Sequence, residues 1–225
     1  MTVESALPMN NSKTGGLLNS VRGGLSGGLK RPSALTLIAC TLLSSVSVAA
    51  APAAGPELAK WRRIDRFDVK TPFAEMNAGA ARVNVDAPVD LVRQVVLDYK
   101  NYQNFMTRFE KSRVVGRTGD KTDVYLQVPI LKGAAKVWAI VRFEPVKQQN
   151  GTEVVVGHMI RGNVKRLDAT WRLTKLDDLS TQVVLELLIV PDMPVPDSLV
   201  VPEVRFAAAK AVEGSRDEAE KRKPH

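Results

Sequence analysis

Few residues in this chain can do acid–base or metal chemistry. There are two histidines, His158 and His225, and one cysteine, Cys40. His158 lies in the apolar stretch TEVVVGHMI. An imidazole facing the interior can exchange a proton near neutral pH or hydrogen-bond a ligand carbonyl. The competing reading is a histidine tied to a neighbouring backbone or side chain. His158 is therefore the one catalytic candidate. One usable histidine among scattered carboxylates builds no metal site, and no cofactor is expected. Glu110, Glu144, Glu153 and Glu186 mark polar faces or strand ends, with no close acid–base pair. Residues 52–225 hold no Gly-x-Ser-x-Gly elbow, and phosphate-cradling and dinucleotide motifs are absent. Arg161, Lys165 and Arg166 form a basic hairpin, RGNVKR, that suits either a lipid headgroup or plain solvation.

The elements that would position these residues sit in a chain of 225 residues, 44% hydrophobic and 25% charged, ample for one core. The net charge is +8, of which residues 1–51 carry +3 (Lys13, Arg22, Lys30 and Arg31 against Glu4). The remainder is mildly basic. It suits transient contact with an anionic membrane surface, and no Lys/Arg run points to nucleic acid.

Residues 1–51 read as a signal or targeting segment. Lys30-Arg31 precedes the uncharged run ALTLIACTLLSSVSV, and small residues follow near Ala50 and Ala51. This is the layout of a cleavable export signal. The apolar centre, about 15 residues, falls short of the roughly 20 that span a bilayer. A lipobox-like Leu37-Ile38-Ala39-Cys40 and an uncleaved anchor are the competing readings. If Cys40 leaves with the signal, the mature chain has no cysteine for disulfides, thiol catalysis or zinc. The expected location is the bacterial periplasm.

Residues 52–75 read as linker and lead-in, 76–215 as one ligand-binding domain, and 216–225 as a charged tail that frays. Alternation in GAARVNVDA predicts a strand. Asp86 and Pro88 then open a helix, with Asp86 as its cap; Val89, Val92, Val96 and Tyr99 share one face. KNYQNF weakens that helix. About six closely spaced strands follow, with a hairpin turn at Asn150-Gly151. A final helix is expected over residues 202–222, with Val204, Ala208, Ala211 and Val212 as its apolar stripe.

Charges assign the strand faces. Val124, Leu126, Val128 and Ile130 are expected inside, as are Val137, Ala139, Val141 and Phe143. So are Val154, Val156, His158 and Ile160, with Glu153 and Arg161 marking the outer side. Trp171 and Leu173, and Val183, Leu185, Leu187 and Ile189, complete the inner face. Trp138 faces out, towards solvent, a membrane or a partner. A single bulge flips every residue after it. An inward aliphatic face is equally a solid core or the wall of a cavity.

The segments APVDLVRQVVLDYKNYQNF, LDATWRL and VPDMPVPDSLVVP, in this element order, resemble the START-like polyketide cyclase and coenzyme Q-binding group of the SRPBCC superfamily. The resemblance covers residues 79–214. It implies an α+β helix-grip fold, a curved antiparallel sheet wrapped around a long C-terminal helix with an apolar cavity between them. It also implies that Tyr99, Tyr102, Phe105, Met106, Met193 and Val195 form the cavity rim. The ligand-contacting set is then Tyr99, Tyr102, Phe105, Leu126, Val128, Val141, Val156, His158, Trp171, Leu185, Leu187 and Met193. The expected function is carriage or sensing of a lipid, quinone or polyketide-like molecule. The alternatives are a cyclase or aromatase using the same cavity, and an interaction domain with a filled core. The sequence leaves oligomeric state open.

Overall fold

The structure, a computed structural model, describes residues 62–72, 74–130 and 135–224. The export segment, Cys40, His225 and the turn at residues 131–133 lie outside the described residues. Nine strands form one antiparallel sheet: β1 (Asp65–Val69), β2 (Ala78–Val85), β3 (Lys111–Thr118), β4 (Lys121–Ile130), β5 (Ala135–Phe143), β6 (Lys147–Gln149), β7 (Thr152–Gly162), β8 (Arg166–Lys175) and β9 (Thr181–Val190). The order across the sheet is β1-β2-β9-β8-β7-β5-β4-β3, with short β6 paired to β7. Between β2 and β3 lie helix α1 (Val89–Val96), a 3-10 turn (Tyr99–Asn101) and the single-turn helix α2 (Tyr102–Phe105). The long helix α3 (Asp197–Lys221) closes the chain. This is the open curved sheet with a C-terminal helix expected of the helix-grip fold.

Local chemistry accounts for the turns. Asn150 and Gly151 both have positive φ (50° and 78°), the backbone a two-residue hairpin connection requires. On α1, Val92, Val95 and Val96 are buried, one face of a 3.6-residue period. Asp86 does not cap this helix: Pro88 stands at the N-cap with no side-chain bond. The Asp86 carboxylate instead pairs with Lys223, and its N–H donates to Glu220.

The apolar stripe of α3 runs through Val204, Ala208, Ala211 and Val212, and the buried face continues through Ser215 to Ala219. The expected frayed tail is a correction: helix persists to Lys221, because its last turn is tied down. Arg222 bonds Asp98 at 2.9 Å and Glu218 at 2.7 Å, and its guanidinium lies over the Phe105 ring. Two glycines let α3 sit close. A Cβ on Gly79 would stand 2.4 Å from the Arg205 backbone nitrogen, and one on Gly214 would stand 2.4 Å from the Phe105 carbonyl oxygen. Backbone cannot yield as a flexible side chain can, so both crossings demand glycine.

The expected faces of β4, β5, β8 and β9 are the observed ones, with Val124, Val141, Leu173 and Val183 fully buried. Strand β7 is the correction. Val155 is buried against Trp171, while Val156 and Ile160 are 36% and 45% exposed. Two facts misled the pattern. Glu153 is buried on the inner face, where Arg93 of α1 grips it through two bonds of 2.5 and 2.6 Å. A bulge at Ile160 then moves Arg161 to the outer side, since Ile140 pairs with Arg161 and Val141 with Met159.

Candidate functional site

Between the sheet and the first half of α3 lies a cavity of about 410 Å³. Strand alternation supplies its walls. Leu126, Val128 and Ile130 come from β4, Val137, Ala139, Val141 and Phe143 from β5, Leu167, Ala169 and Trp171 from β8, and Leu185, Leu187 and Ile189 from β9. Helix α3 contributes Leu199, Val200, Glu203, Val204, Ala207 and Ala211. Its share is small-sided where it faces the sheet's centre, and this is the physical origin of the space. Alanines at 207 and 211 carry too little volume to fill the gap between helix and sheet.

Exposure distinguishes floor from mouth. Tyr102, Val141, Phe143, Trp171, Leu185 and Ala211 are buried lining residues and form the floor. Lys136, Asn163, Asp192, Met193, Leu199 and Glu203 line the same space but are exposed, and they mark the opening. Met193 and Leu199 are 65% and 64% exposed there. Val195 also lines this end.

The structure thus brings together eight of the twelve expected ligand contacts: Tyr102, Leu126, Val128, Val141, Trp171, Leu185, Leu187 and Met193 line the cavity. Four do not. Tyr99 stacks behind Phe143, centroids 4.4 Å apart, one layer away from the space. Phe105 sits edge-on to Tyr102 on the side of α3 where Arg222 lies. Val156 and His158 face the other side of the sheet, displaced by the β7 misreading. His158 stands between Arg142 and Asp168 in the ladder. In that outer row Arg142 grips Asp123 through two 2.7 Å bonds and holds its carboxyl below the ordinary range.

The helix break is also placed differently from the rim expectation. Tyr99, Tyr102 and Met106 are 7%, 2% and 1% exposed. They are packed core at the cavity's closed end, not its rim. Tyr102 is held by ring contacts to Tyr99, Phe105 and Phe109, and its hydroxyl donates to the Val96 carbonyl. That carbonyl is one of the groups a helix C-terminus leaves unpaired. Burial pushes the Tyr102 hydroxyl pKa well above its usual value, with the charge of Asp98 adding to the effect.

Sequence reasoning missed Arg108 and Phe109, which follow the break and line the cavity. Both stand in a stretch without periodicity, so no pattern singled them out. The polar groups of the mouth are mostly engaged. Lys136 bonds Glu110 at 2.7 Å; Asn163 accepts from the Trp138 N–H and donates to the Lys136 carbonyl, both at 2.8 Å. Among the described residues no three His, Cys, Asp or Glu side chains gather as a metal site.

The family profile described as polyketide cyclase / dehydrase and lipid transport matches residues 85–213, more than half of the chain. The chain belongs to this family. Every cavity-lining residue, from Tyr102 to Ala211, falls inside the matched span. Similar solved structures include a STAR-related lipid transfer protein from Xanthomonas axonopodis, with 15% identity over 69% of this chain and 93% of that one and a TM-score of 0.59. A START superfamily protein from Mycobacterium smegmatis is 19% identical over 62% of this chain and 96% of its own, at a TM-score of 0.53. The Zhui aromatase/cyclase from Streptomyces sp. R1128 is 20% identical over 71% and 96%, at 0.52. These likenesses show the shared fold. No curated protein matches the chain by sequence.

Proposed function

We propose that this protein binds a hydrophobic small molecule in the cavity under α3 and acts as its carrier or sensor. One observation carries the reading: a space of about 410 Å³, walled almost entirely by aliphatic and aromatic side chains, closed at one end and open at the other. Its size falls within the range of small-molecule sites, and burial of apolar ligand surface supplies the affinity. Family membership supports the same class of ligand. A lipid, a quinone and a polyketide-like chain all suit such walls.

The cyclase alternative gains nothing from the histidine and tyrosine nearest to it. His158 lies on the other face of the sheet, and the Tyr102 hydroxyl is engaged at Val96. The proposed place of action is the bacterial periplasm, supported by the charge-free apolar run before Ala50. Among the described residues no helix is long and apolar enough to cross a membrane. Exposed Met193 and Leu199 at the mouth suit transient contact with a membrane surface during loading.

Native mass spectrometry of the protein purified from cells, followed by solvent extraction, tests the proposal. The expected spectrum shows one apolar molecule per chain, released by organic solvent. Ligand-free protein that also fails to take up lipids or quinones added in vitro would sink the carrier and the cyclase readings together. N-terminal sequencing of the same material tests export, with a mature terminus near Ala51 as the expected result and an intact Met1 as the contrary one.

A further inference from the structure

The walls of the cavity are hydrocarbon, so any polar recognition must occur at its mouth. Lys136 is committed to Glu110, and Asn163 to the backbone of β5. Arg108 is different. Its Nε is buried with no hydrogen-bond partner. Its nearest charge, the Glu203 carboxylate, lies 3.6 Å from Nη2, an ion pair beyond ordinary hydrogen-bond length. The guanidinium also lies over the Phe206 ring, 5.2 Å from its centroid. A buried donor without an acceptor is costly, and a turn of the partly exposed Arg108 side chain toward a ligand oxygen removes that cost. A planar guanidinium presents paired N–H groups that match the two oxygens of a carboxylate or phosphate.

We infer that the ligand is an anionic amphiphile whose carboxylate or phosphate head is bound by Arg108 while its apolar tail fills the cavity. This rests on the cavity-binding reading above. The Glu203 side chain is 66% exposed on the first turns of α3, free to swing into solvent. The incoming head replaces it beside Arg108, so Glu203 acts as a competitor that tunes affinity. A neutral alcohol with the same tail accepts a single hydrogen bond and lacks the charge and the second oxygen that match the guanidinium, so it binds less well.

The test uses full-length protein stripped of bound ligand and three probes with one tail: dodecanoate, monododecyl phosphate and 1-dodecanol. At least one of the two acids is expected to bind tenfold or more tightly than the alcohol, and the tighter acid identifies the head. Arg108→Gln is expected to lose the preference, with all three probes binding within about twofold of one another. Glu203→Gln is expected to strengthen acid binding severalfold and leave the alcohol unaffected by comparison. Circular dichroism melting checks that each variant is folded. Equal affinity for acids and alcohol in the wild type overturns the headgroup inference and leaves the cavity reading standing. So does a preference that survives in folded Arg108→Gln. If none of the probes binds, the alcohol included, both readings fall.

Discussion

The double variant Ala207→Phe, Ala211→Phe is expected to keep its fold and to lose binding of an apolar ligand. Both alanines line the cavity, one helical turn apart on α3. Two phenyl rings at these positions occupy the space between helix and sheet and leave the outer surface untouched. Each roughly 100 Å² of ligand surface denied burial costs about 2.5 kcal/mol. The expected loss is therefore about a hundredfold in Kd, near 2.8 kcal/mol. Stability moves little. The lower helix propensity of phenylalanine costs about 0.5 kcal/mol per site, and burial of the rings offsets it. Ligand titration with urea denaturation of both proteins reads the two effects separately. Val156→Phe, on the opposite face of the sheet, is the matched control with unchanged affinity. A double variant that is folded and still binds like the wild type would show that the cavity is not the ligand site.

Tyr102 carries the second large effect, on stability. It is 2% exposed and sits where α1, α2 and the cavity floor meet. Tyr102→Ala is expected to cost about 3–5 kcal/mol, the usual range for removing a buried aromatic ring. That is a large part of a typical folding free energy. Tyr102→Phe keeps the ring and leaves the buried Val96 carbonyl without its donor, at about 1–3 kcal/mol.

A pH dependence follows from the same residue. The Tyr102 hydroxyl has its pKa raised by burial above the ordinary value of 10.0, and Tyr99 is raised too, also by burial. An unfolded chain ionises these phenols near pH 10 while the folded chain holds them neutral. Their stabilisation is thus fully present below that pH and is lost as pH rises above it. Each such tyrosine contributes up to about 1.4 kcal/mol per pH unit to the decline. Urea midpoints from pH 8 to 11 are expected to fall steeply above pH 10 in the wild type. The slope is expected to be shallower in Tyr102→Phe, where only Tyr99 remains. Equal slopes would contradict the assignment of that titration to Tyr102.

Much of this site was legible in the sequence because a half-buried strand writes its faces in alternation. Leu126, Val141, Trp171 and Leu185 were placed on the inner face by that rule alone, and the structure puts that face on the cavity wall. The rule failed on β7, where a buried charge and a bulge occurred in one strand. Glu153 is inside because Arg93, on a different element, neutralises it. No strand-local pattern contains that fact. His158 and Val156 were carried to the wrong face with it.

The helix break failed for another reason. Composition read KNYQNF as a weakened helix and the family resemblance implied a cavity rim there, but the Tyr102 hydroxyl finds its acceptor at the end of α1. Polar atoms satisfied within the fold are invisible to composition. The choice between core and cavity was not written in the strands at all. It was written in α3, where RFAAAKA offers a long helix too little side-chain volume to fill the interior. Small residues on the long helix covering an aliphatic sheet are the signal that separates a cavity from a core.

An apolar molecule that enters this cavity meets Trp171 on its floor, and that side chain reports the contact directly. The decisive measurement is quenching of tryptophan fluorescence by an alkyl chain brominated near its end, titrated into ligand-free protein. Trp61 is replaced by Phe in the protein used, and Trp138 lies on the outer face of the sheet, stacked on Tyr125 and out of reach of a chain inside. The account predicts saturable quenching at one molecule per chain, which disappears in Trp171→Phe. Quenching that never saturates, or that persists unchanged in Trp171→Phe, would contradict it.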